Sequence, residues 1–181
     1  MSILSASGFI SPPQAEAYSK ALLDLLGKRD PLQVLRETPD ALRAAVERVP
    51  AAQLGQPEAP GKWSTRQVIQ HLADSELVGS FRLRLILAQD RPALTPYDQD
   101  LWASKLRYQE VEIQDALDQF SVLRRTNLRY WRGLTPTELA RAGVHAERGD
   151  ESLEHMRRLY GGHDLAHLHQ LARIRIVLTG H

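Results

Sequence analysis

The residues best suited to chemistry in this sequence are histidines. His163 and His167 are four positions apart, and on a helix this spacing brings two imidazoles out on the same side. His71 lies in a separate helical run. A histidine pair of this kind can bind one cation, but it can also be two unrelated surface residues. Spacing alone leaves both interpretations open.

Three imidazoles together would favour a particular set of metals. Imidazole nitrogen suits Zn, Ni, Cu or Fe better than Mg or Ca, and three protein ligands leave positions open for water or a substrate atom. We expect Zn or Ni. Such a site can activate water or accept a substrate thiol as its thiolate. The chain has no cysteine, so metal binding would depend on histidines and carboxylates.

Three further residues bear on this site through their helical positions. Asp74 shares a face with His71 and could hydrogen-bond its imidazole, or it could reach another segment instead. Glu76 points well away from His71 around the helix. His169 points away from the side shared by the histidine pair. We therefore leave Glu76 and His169 out of the predicted site.

Other ionisable residues receive simpler interpretations. His145 and His155 have no partner at a useful spacing, and we predict ordinary surface or loop histidines. Arg82 and Arg84 could attract an anionic group of a substrate, but their spacing is also typical of a solvated helix face. We assign no binding role to either arginine.

Proline and glycine divide the chain into segments of helical length. We predict helices over 14–27, 30–49 (two short helices or one kinked helix), 65–89, 112–132 and 151–179, the last capped by Asp150, with a short turn at 135–136 and connections over 50–62, 91–102 and 142–150. Ser64 and Gln67 have the spacing of a capping box. Gly161 and Gly162 each cost the last helix about 1 kcal/mol relative to Ala, so the close approach of a neighbouring segment should require them.

The bulk properties of the chain restrict its class. Its 181 residues, 43% of them hydrophobic, suit a single domain over 1–181. The 23 basic and 22 acidic residues nearly cancel, so the composition does not indicate nucleic acid or a membrane surface as a partner. The N-terminus lacks the pattern of a signal sequence, and no run approaches the roughly 20 apolar residues of a membrane span. We expect a cytoplasmic protein.

Two stretches resemble a known family. They are GKWSTRQVIQHLADSELVGSFRLRLILAQDRPALTPYDQDLWA and LYGGHDLAHLHQLARIR, which are similar to the DinB/YfiT-like superfamily of metalloproteins and particularly to its YfiT branch. In that family a tryptophan and a helix cap precede a HLADS-type histidine, a PYD-W loop follows, and a distant helix supplies HxxxH. The resemblance spans roughly 62–174. It implies an all-α four-helix bundle with extra short helices and long crossing loops, and the metal ligands His71, His163 and His167.

The PYD-W segment supplies two more candidates. Tyr97 and Asp98 could line the mouth of a pocket, with Asp98 as a base. The alternative is that Tyr97 and Trp102 are packing anchors and that Asp98 caps a helix. Together with Asp74, they are the candidates for catalysis.

The resemblance leaves three functions open. The first is transfer of a low-molecular-weight thiol, such as a cellular thiol, to an electrophilic small molecule, as relatives in the superfamily suggest. The second is a metal-dependent hydrolase that uses metal-bound water, and the third is a non-catalytic stress-response protein that binds metal. The expected partners are a small-molecule substrate and a second copy of the chain in a homodimer.

This sequence departs from the YfiT branch at two places. The branch often has bulkier residues, including histidine, where Tyr160, Gly161 and Gly162 stand, and a histidine where Glu76 stands. We therefore expect the substrate pocket to differ.

Overall fold

A bundle of long helices forms the body of the protein in the computed structural model, which describes residues 11–180. The helices are α1 (Pro12–Leu26), α2 (Pro31–Glu47), α3 (Thr65–Ala88), α4 (Gln99–Lys105), α5 (Ile113–Gly133), α6 (Pro136–Leu139) and α7 (Leu153–Thr179). Helices α2 and α3 each pack against both α5 and α7, and α1 lies along α7. The prediction of an all-α four-helix bundle with extra short helices is confirmed. The predicted absence of a signal sequence falls on residues 1–10, outside the described part.

Local sequence signals determine where the long helices begin. The Ser64 hydroxyl and the Gln67 side chain each accept a backbone N–H of the other residue, at 3.4 and 3.0 Å, so the predicted capping box starts α3. Asp30 caps α2, with Pro31 in the first turn. Among residues 11–180, no helix is long and apolar enough to cross a membrane.

Helix α2 is continuous, so the alternative of two short helices is wrong. Pro39 lies inside it and cannot donate the usual backbone hydrogen bond to the carbonyl of Leu35. That carbonyl instead accepts a hydrogen bond from Nη1 of Arg124 at 3.0 Å. A side chain from α5 thus replaces the bond that the proline removes.

The predicted loop over 142–150 is wrong, because a small sheet forms there. Strands β2 (Ala142–His145) and β3 (Gly149–Ser152) pair antiparallel, and β1 (Ala93–Leu94) pairs parallel with β2. The sequence has few strand-forming residues here, and the pairing with β1 is too distant along the chain for a local pattern to indicate. Since β3 extends to Ser152, helix α7 begins at Leu153 with Ser152 as its cap instead of Asp150.

The glycine pair in α7 lies where α1 packs most closely. A Cβ on Gly162 would be only 2.2 Å from the carbonyl oxygen of Leu22, and one on Gly161 would be 3.2 Å from the Leu26 side chain. The backbones of the two helices are therefore nearly in contact. This accounts for two glycines in a helix interior.

Arg124 is fully buried and connects the long helices of the bundle. Its guanidinium pairs with Asp164 of α7 at 2.5 Å and with Glu76 of α3 at 2.9 Å. Asn127 donates a further hydrogen bond to Glu76 at 2.7 Å. Burial alone would lower the pKa of Arg124, but the two carboxylates outweigh it and raise that pKa. With the Leu35 carbonyl, one side chain thus joins α2, α3, α5 and α7.

Gly162→Ala should destabilise the fold. The added methyl group meets a backbone carbonyl, which cannot rotate away, so the free energy of unfolding should fall by about 1–3 kcal/mol. Urea denaturation followed by circular dichroism measures the change. Gly133→Ala is the matched control, since a Cβ there meets nothing within 4 Å. Equal stability of the two variants would contradict the close approach of α1.

Arg124→Met should also destabilise the fold. The substitution leaves the carboxylates of Glu76 and Asp164 buried without a positive partner, a loss of about 3–5 kcal/mol. The exposed neighbour Arg125 provides the control, because Arg125→Met removes the same charge from the surface and should cost less than about 0.5 kcal/mol. Indistinguishable urea denaturation midpoints for the two variants would show that Arg124 does not stabilise the bundle.

Candidate metal centre

The three predicted histidines lie together between α3 and α7. The Nε2 atom of His163 is 3.2 Å from Nε2 of His71 and 3.1 Å from Nε2 of His167. One ligand nitrogen from each residue lies within 4.8 Å of the others. Two imidazole nitrogens on a tetrahedral zinc would be roughly 3.3 Å apart, given Zn–N bonds of about 2.0–2.1 Å. The observed spacing is close to that value.

The second ring nitrogens of the histidines have different surroundings. Nδ1 of His167 lies 2.8 Å from Oε1 of Gln170, so Nδ1 carries the proton and the lone pair of Nε2 faces the cluster. Nδ1 of His71 is buried without a hydrogen-bond partner in the described chain, and the ring of Trp63 packs at 4.9 Å between centroids. The contact of Gln170 with His167 was not predicted from the sequence.

Asp74 reaches another element and not His71. Its carboxylate accepts hydrogen bonds from the Tyr108 hydroxyl at 2.6 Å and from Gln119 at 3.2 Å. Of the two alternatives drawn from the sequence, the structure therefore shows the second. Glu76 pairs with Arg124 away from the histidines, in agreement with its exclusion from the site.

Burial keeps the three imidazoles neutral. It is the largest cause that lowers the pKa of His163 to about 4, with a contribution from the charge of Arg124. The pKa values of His71 and His167 are also well below the ordinary value, first because of burial and then because of the neighbouring histidines. Metal ions bind the neutral form of histidine. At pH 7 the cluster is therefore ready to bind a metal without losing protons.

The donor set fits a divalent transition metal. Three nitrogen atoms converge, no carboxylate joins them among the described residues, and the tautomer of His167 directs a lone pair inward. Imidazole ligands of this kind suit Zn, Ni, Cu or Fe and not Mg or Ca. A divalent cation would also relieve the crowding of three buried electron-rich nitrogens.

A cavity of about 140 Å³ adjoins the cluster, and His71 and His163 form part of its wall. The hydroxyl-bearing residues Tyr18, Tyr97 and Tyr160 also line it. Burial raises the pKa of each of these tyrosines, so their hydroxyls stay protonated at neutral pH. The cavity is comparable in size to a cavity of about 150 Å³ that binds benzene, which suits a small molecule or one end of a larger one.

The two candidates from the PYD-W segment lie in different places. Tyr97 lines the cavity, and its ring packs against Trp102 with centroids 4.5 Å apart. Asp98 accepts a hydrogen bond from the backbone N–H of Leu101 at 2.9 Å and caps α4. Asp98 is not part of the cavity wall. The loop predicted over 91–102 is therefore partly wrong, because it contains strand β1 and the start of helix α4.

The surface position predicted for His145 is wrong. His145 is 2% exposed, lines the cavity, and accepts the backbone N–H of Glu147 through Nδ1 at 3.2 Å. Burial, with the charges of Arg148 and Arg82, lowers its pKa to about 3. Its burial depends on the sheet that the sequence did not reveal. His155 is partly exposed in the first turn of α7.

The prediction of a solvated face at Arg82 is also wrong. Arg82 is 7% exposed and lines the cavity, and its Nη2 donates to the carbonyl of Thr95 at 2.6 Å. Thr95 directly follows β1, so this contact too depends on the sheet. Arg84 is partly exposed and donates to the carbonyl of Ser80 at 2.7 Å.

Fold and site together define a helical bundle with a buried cluster of three histidines open to a small cavity. The sequence profile of the DinB superfamily matches residues 35–171. The chain belongs to the DinB superfamily, as its motifs predict.

Individual relatives support the same assignment. "Putative metal-dependent hydrolase YfiT" of Bacillus subtilis (strain 168) is 34% identical over 149 residues, which cover 78% of this chain and 82% of that protein. A "Putative metal-dependent hydrolase" of Oceanobacillus iheyensis is 32% identical over 142 residues, covering 77% of this chain and 82% of the relative.

A solved structure has the same fold. It is described as "YfiT from Bacillus subtilis is a probable metal-dependent hydrolase with an unusual four-helix bundle topology". It aligns with a TM-score of 0.75 at 27% identity over 94% of this chain and 90% of that one. The resemblance to the YfiT branch is therefore confirmed in sequence and in fold.

The lowered histidine pKa values predict a pH dependence for the metal-free protein. Unfolded histidines titrate near 6.5, whereas His163 in the fold titrates at about 4. Between these values the unfolded chain binds more protons, so stability is complete above about pH 6.5 and falls as the pH drops toward 4. Thermal unfolding in a chelator, measured from pH 4 to 8, should show this slope.

A pair of variants isolates the contribution of the cluster. His163→Gln removes one of the buried imidazoles and should make the slope shallower. His169→Gln removes an exposed histidine of the same helix and should leave the slope as in the wild type. If the two variants show the same slope, the buried histidines are not its source.

Proposed function

We propose that this protein is a metal-dependent hydrolase of a small molecule, in which His71, His163 and His167 bind a divalent transition metal, Zn or Ni. The observation that carries the proposal is the convergence of three neutral Nε2 atoms beside a cavity that His71 and His163 line. The descriptions of the Bacillus and Oceanobacillus relatives name the same reaction class.

The form of the site favours catalysis over a purely structural metal. Structural zinc sites are usually closed by four protein ligands, whereas catalytic sites keep a position open. Only three metal-binding side chains converge in the described chain, and two of their rings face the cavity. A substrate in this cavity would therefore lie beside the open position.

The chemistry divides between the metal and the cavity wall. A divalent metal held by His71, His163 and His167 would supply Lewis acidity and would activate water for hydrolysis. The protonated hydroxyls of Tyr18 and Tyr97 can donate hydrogen bonds to a substrate in the cavity, whereas the hydroxyl of Tyr160 donates to the Ser75 carbonyl. With its raised pKa, Tyr97 is suited to donate a proton or a hydrogen bond and not to act as a base. Asp74 and Asp98 are engaged elsewhere.

Thiol transfer remains a second prediction for the same site, because a metal can also stabilise a substrate thiolate. A cellular thiol as co-substrate and a homodimer likewise remain predictions. Hydrolysis is preferred because the relatives are described as hydrolases.

The first test is metal content. Protein purified with zinc or nickel should contain about one equivalent per chain by elemental analysis, and His163→Ala should lose most of it. His169→Ala, an exposed control on the same helix, should retain it. Equal metal content in the two variants, or none in the wild type, would contradict the proposed ligands.

The second test is activity on a panel of small esters, thioesters and amides. Metal removal should lower kcat/KM more than about 100-fold, since the metal contributes several kcal/mol to transition-state stabilisation, and adding Zn or Ni should restore it. If the loaded protein instead consumes an electrophile only when a thiol is present, thiol transfer is the function. If metal removal lowers only the melting temperature, the metal is structural.

A further inference from the structure

Two arginines are buried in the described chain, and their surroundings differ sharply. Arg124 is 1% exposed and pairs with both Glu76 and Asp164. Arg82 is 7% exposed, but no carboxylate within residues 11–180 forms an ion pair with it. A buried charge without a partner is costly. Arg124 shows how this protein compensates a structural arginine, and Arg82 lacks that compensation.

The hydrogen bonds of Arg82 are incomplete as well. Its Nη2 donates to the Thr95 carbonyl, while its Nε–H is buried with no acceptor in the described chain. The side chain forms part of the wall of the same cavity that His71 and His163 line. An unsatisfied cationic donor therefore borders the space in which a substrate would lie.

The other charges at the cavity do not neutralise Arg82. Arg148 donates to Glu151 through Nε at 3.1 Å and through Nη2 at 2.7 Å, so these two charges satisfy each other. Glu147 also lines the cavity, and it has an interaction of its own within the chain. The tyrosines and His145 are neutral at pH 7. The charge of Arg82 remains available to a ligand.

We propose that Arg82 binds an anionic oxygen group of the substrate, a carboxylate or a phosphate, so that this protein acts on small anionic molecules. The reaction in this inference rests on the proposed function, whereas the class of substrate rests on Arg82 itself. Guanidinium forms its strongest hydrogen bonds with these two groups. The anion would supply the missing opposite charge and an acceptor for guanidinium N–H groups that the Thr95 carbonyl does not use. In a cavity of about 140 Å³, the anionic group and the reacting bond must belong to a compact molecule or to one end of a longer one.

The test compares oxyanions with neutral molecules of the same shape. Binding of succinate, acetate and inorganic phosphate to the metal-loaded protein is measured by calorimetry, with succinamide and acetamide as the neutral probes. The same titrations on metal-free protein exclude anions bound only to the metal. We expect at least one oxyanion to bind the wild type in both forms, and the amides to bind at least 10-fold more weakly, on the order expected for a charge-assisted hydrogen bond. Whether carboxylate or phosphate binds more tightly identifies the group.

Three variants assign the binding to Arg82. Arg82→Met should weaken oxyanion binding about 10- to 100-fold and leave amide binding unchanged, whereas Arg82→Lys keeps the charge and should lose less. Arg132→Met removes an exposed charge from the last turn of α5 and should bind as the wild type. Arg82→Met should also unfold at a temperature close to that of the wild type, since no carboxylate loses its partner, in contrast with Arg124→Met.

Each outcome separates this inference from the proposed function. Oxyanion binding that is unaffected in Arg82→Met, or amides that bind as well as acids, would overturn the role of Arg82 even if the protein is a hydrolase. Oxyanion binding that depends on Arg82 in a protein that hydrolyses nothing would support Arg82 and reject the hydrolase. If Arg82→Met does not fold, the comparison of wild type with Arg82→Lys and of acids with amides still decides the matter.

Discussion

The position of the candidate metal centre depends on a buried ion pair that does not belong to it. Arg124 of α5 holds Glu76 of α3 and Asp164 of α7 at 2.9 and 2.5 Å. Asp164 directly follows His163, and Glu76 follows His71 on the same helix. A shift of α3 along α7 would therefore separate the carboxylates from Arg124 and the imidazoles from one another at the same time. Because charges without partners are so costly in a protein interior, the ion pair fixes the register in which the Nε2 atoms converge.

The cavity depends on a second constraint, which is how closely the helices approach. Gly162 allows the backbone of α1 to approach α7, and a Cβ on Gly79 of α3 would lie 2.6 Å from the ring of Tyr160. Each missing side chain leaves space for a group that reaches the cavity wall, Leu22 in the first case and Tyr160 in the second. The hydroxyl of Tyr160 donates to the Ser75 carbonyl at 3.2 Å, which links α7 to α3 beside the histidines. The sheet β1–β2–β3 completes the wall with His145. The glycines thus shape the pocket as directly as the residues that line it.

The sequence predicted those features of the fold and the site that depend on residues close together along the chain. Helical spacing is local, so it placed His163 and His167 on one side of α7 and excluded His169, and the capping box at Ser64 located the start of α3. The link between His71 and that pair came from the family motifs, because no local pattern can show that two helices meet. The predictions of a loop over 142–150 and of exposed positions for His145 and Arg82 were wrong for the same reason. Strand β2 pairs with two residues that precede it by about fifty positions, and without this pairing neither His145 nor Arg82 could be recognised as buried.

The two buried arginines also show how stability and function can be distinguished in one fold. Arg124 and its carboxylates form a closed set, in which removal of the arginine leaves both carboxylates without a positive partner. Arg82 has no ion-pair partner among the described residues, so the folded protein carries an electrostatic cost that its hydrogen bond to the Thr95 carbonyl offsets only in part. Such a cost is common where a site must bind something that is not part of the chain, because the missing interaction is then made by the ligand. The three histidines follow the same logic, since their neutral Nε2 atoms converge as the ligands of a cation do. The two proposals therefore agree in kind: the histidines suit a metal cation and Arg82 suits an anionic group, which together are the requirements of a metal-dependent hydrolase with an anionic substrate.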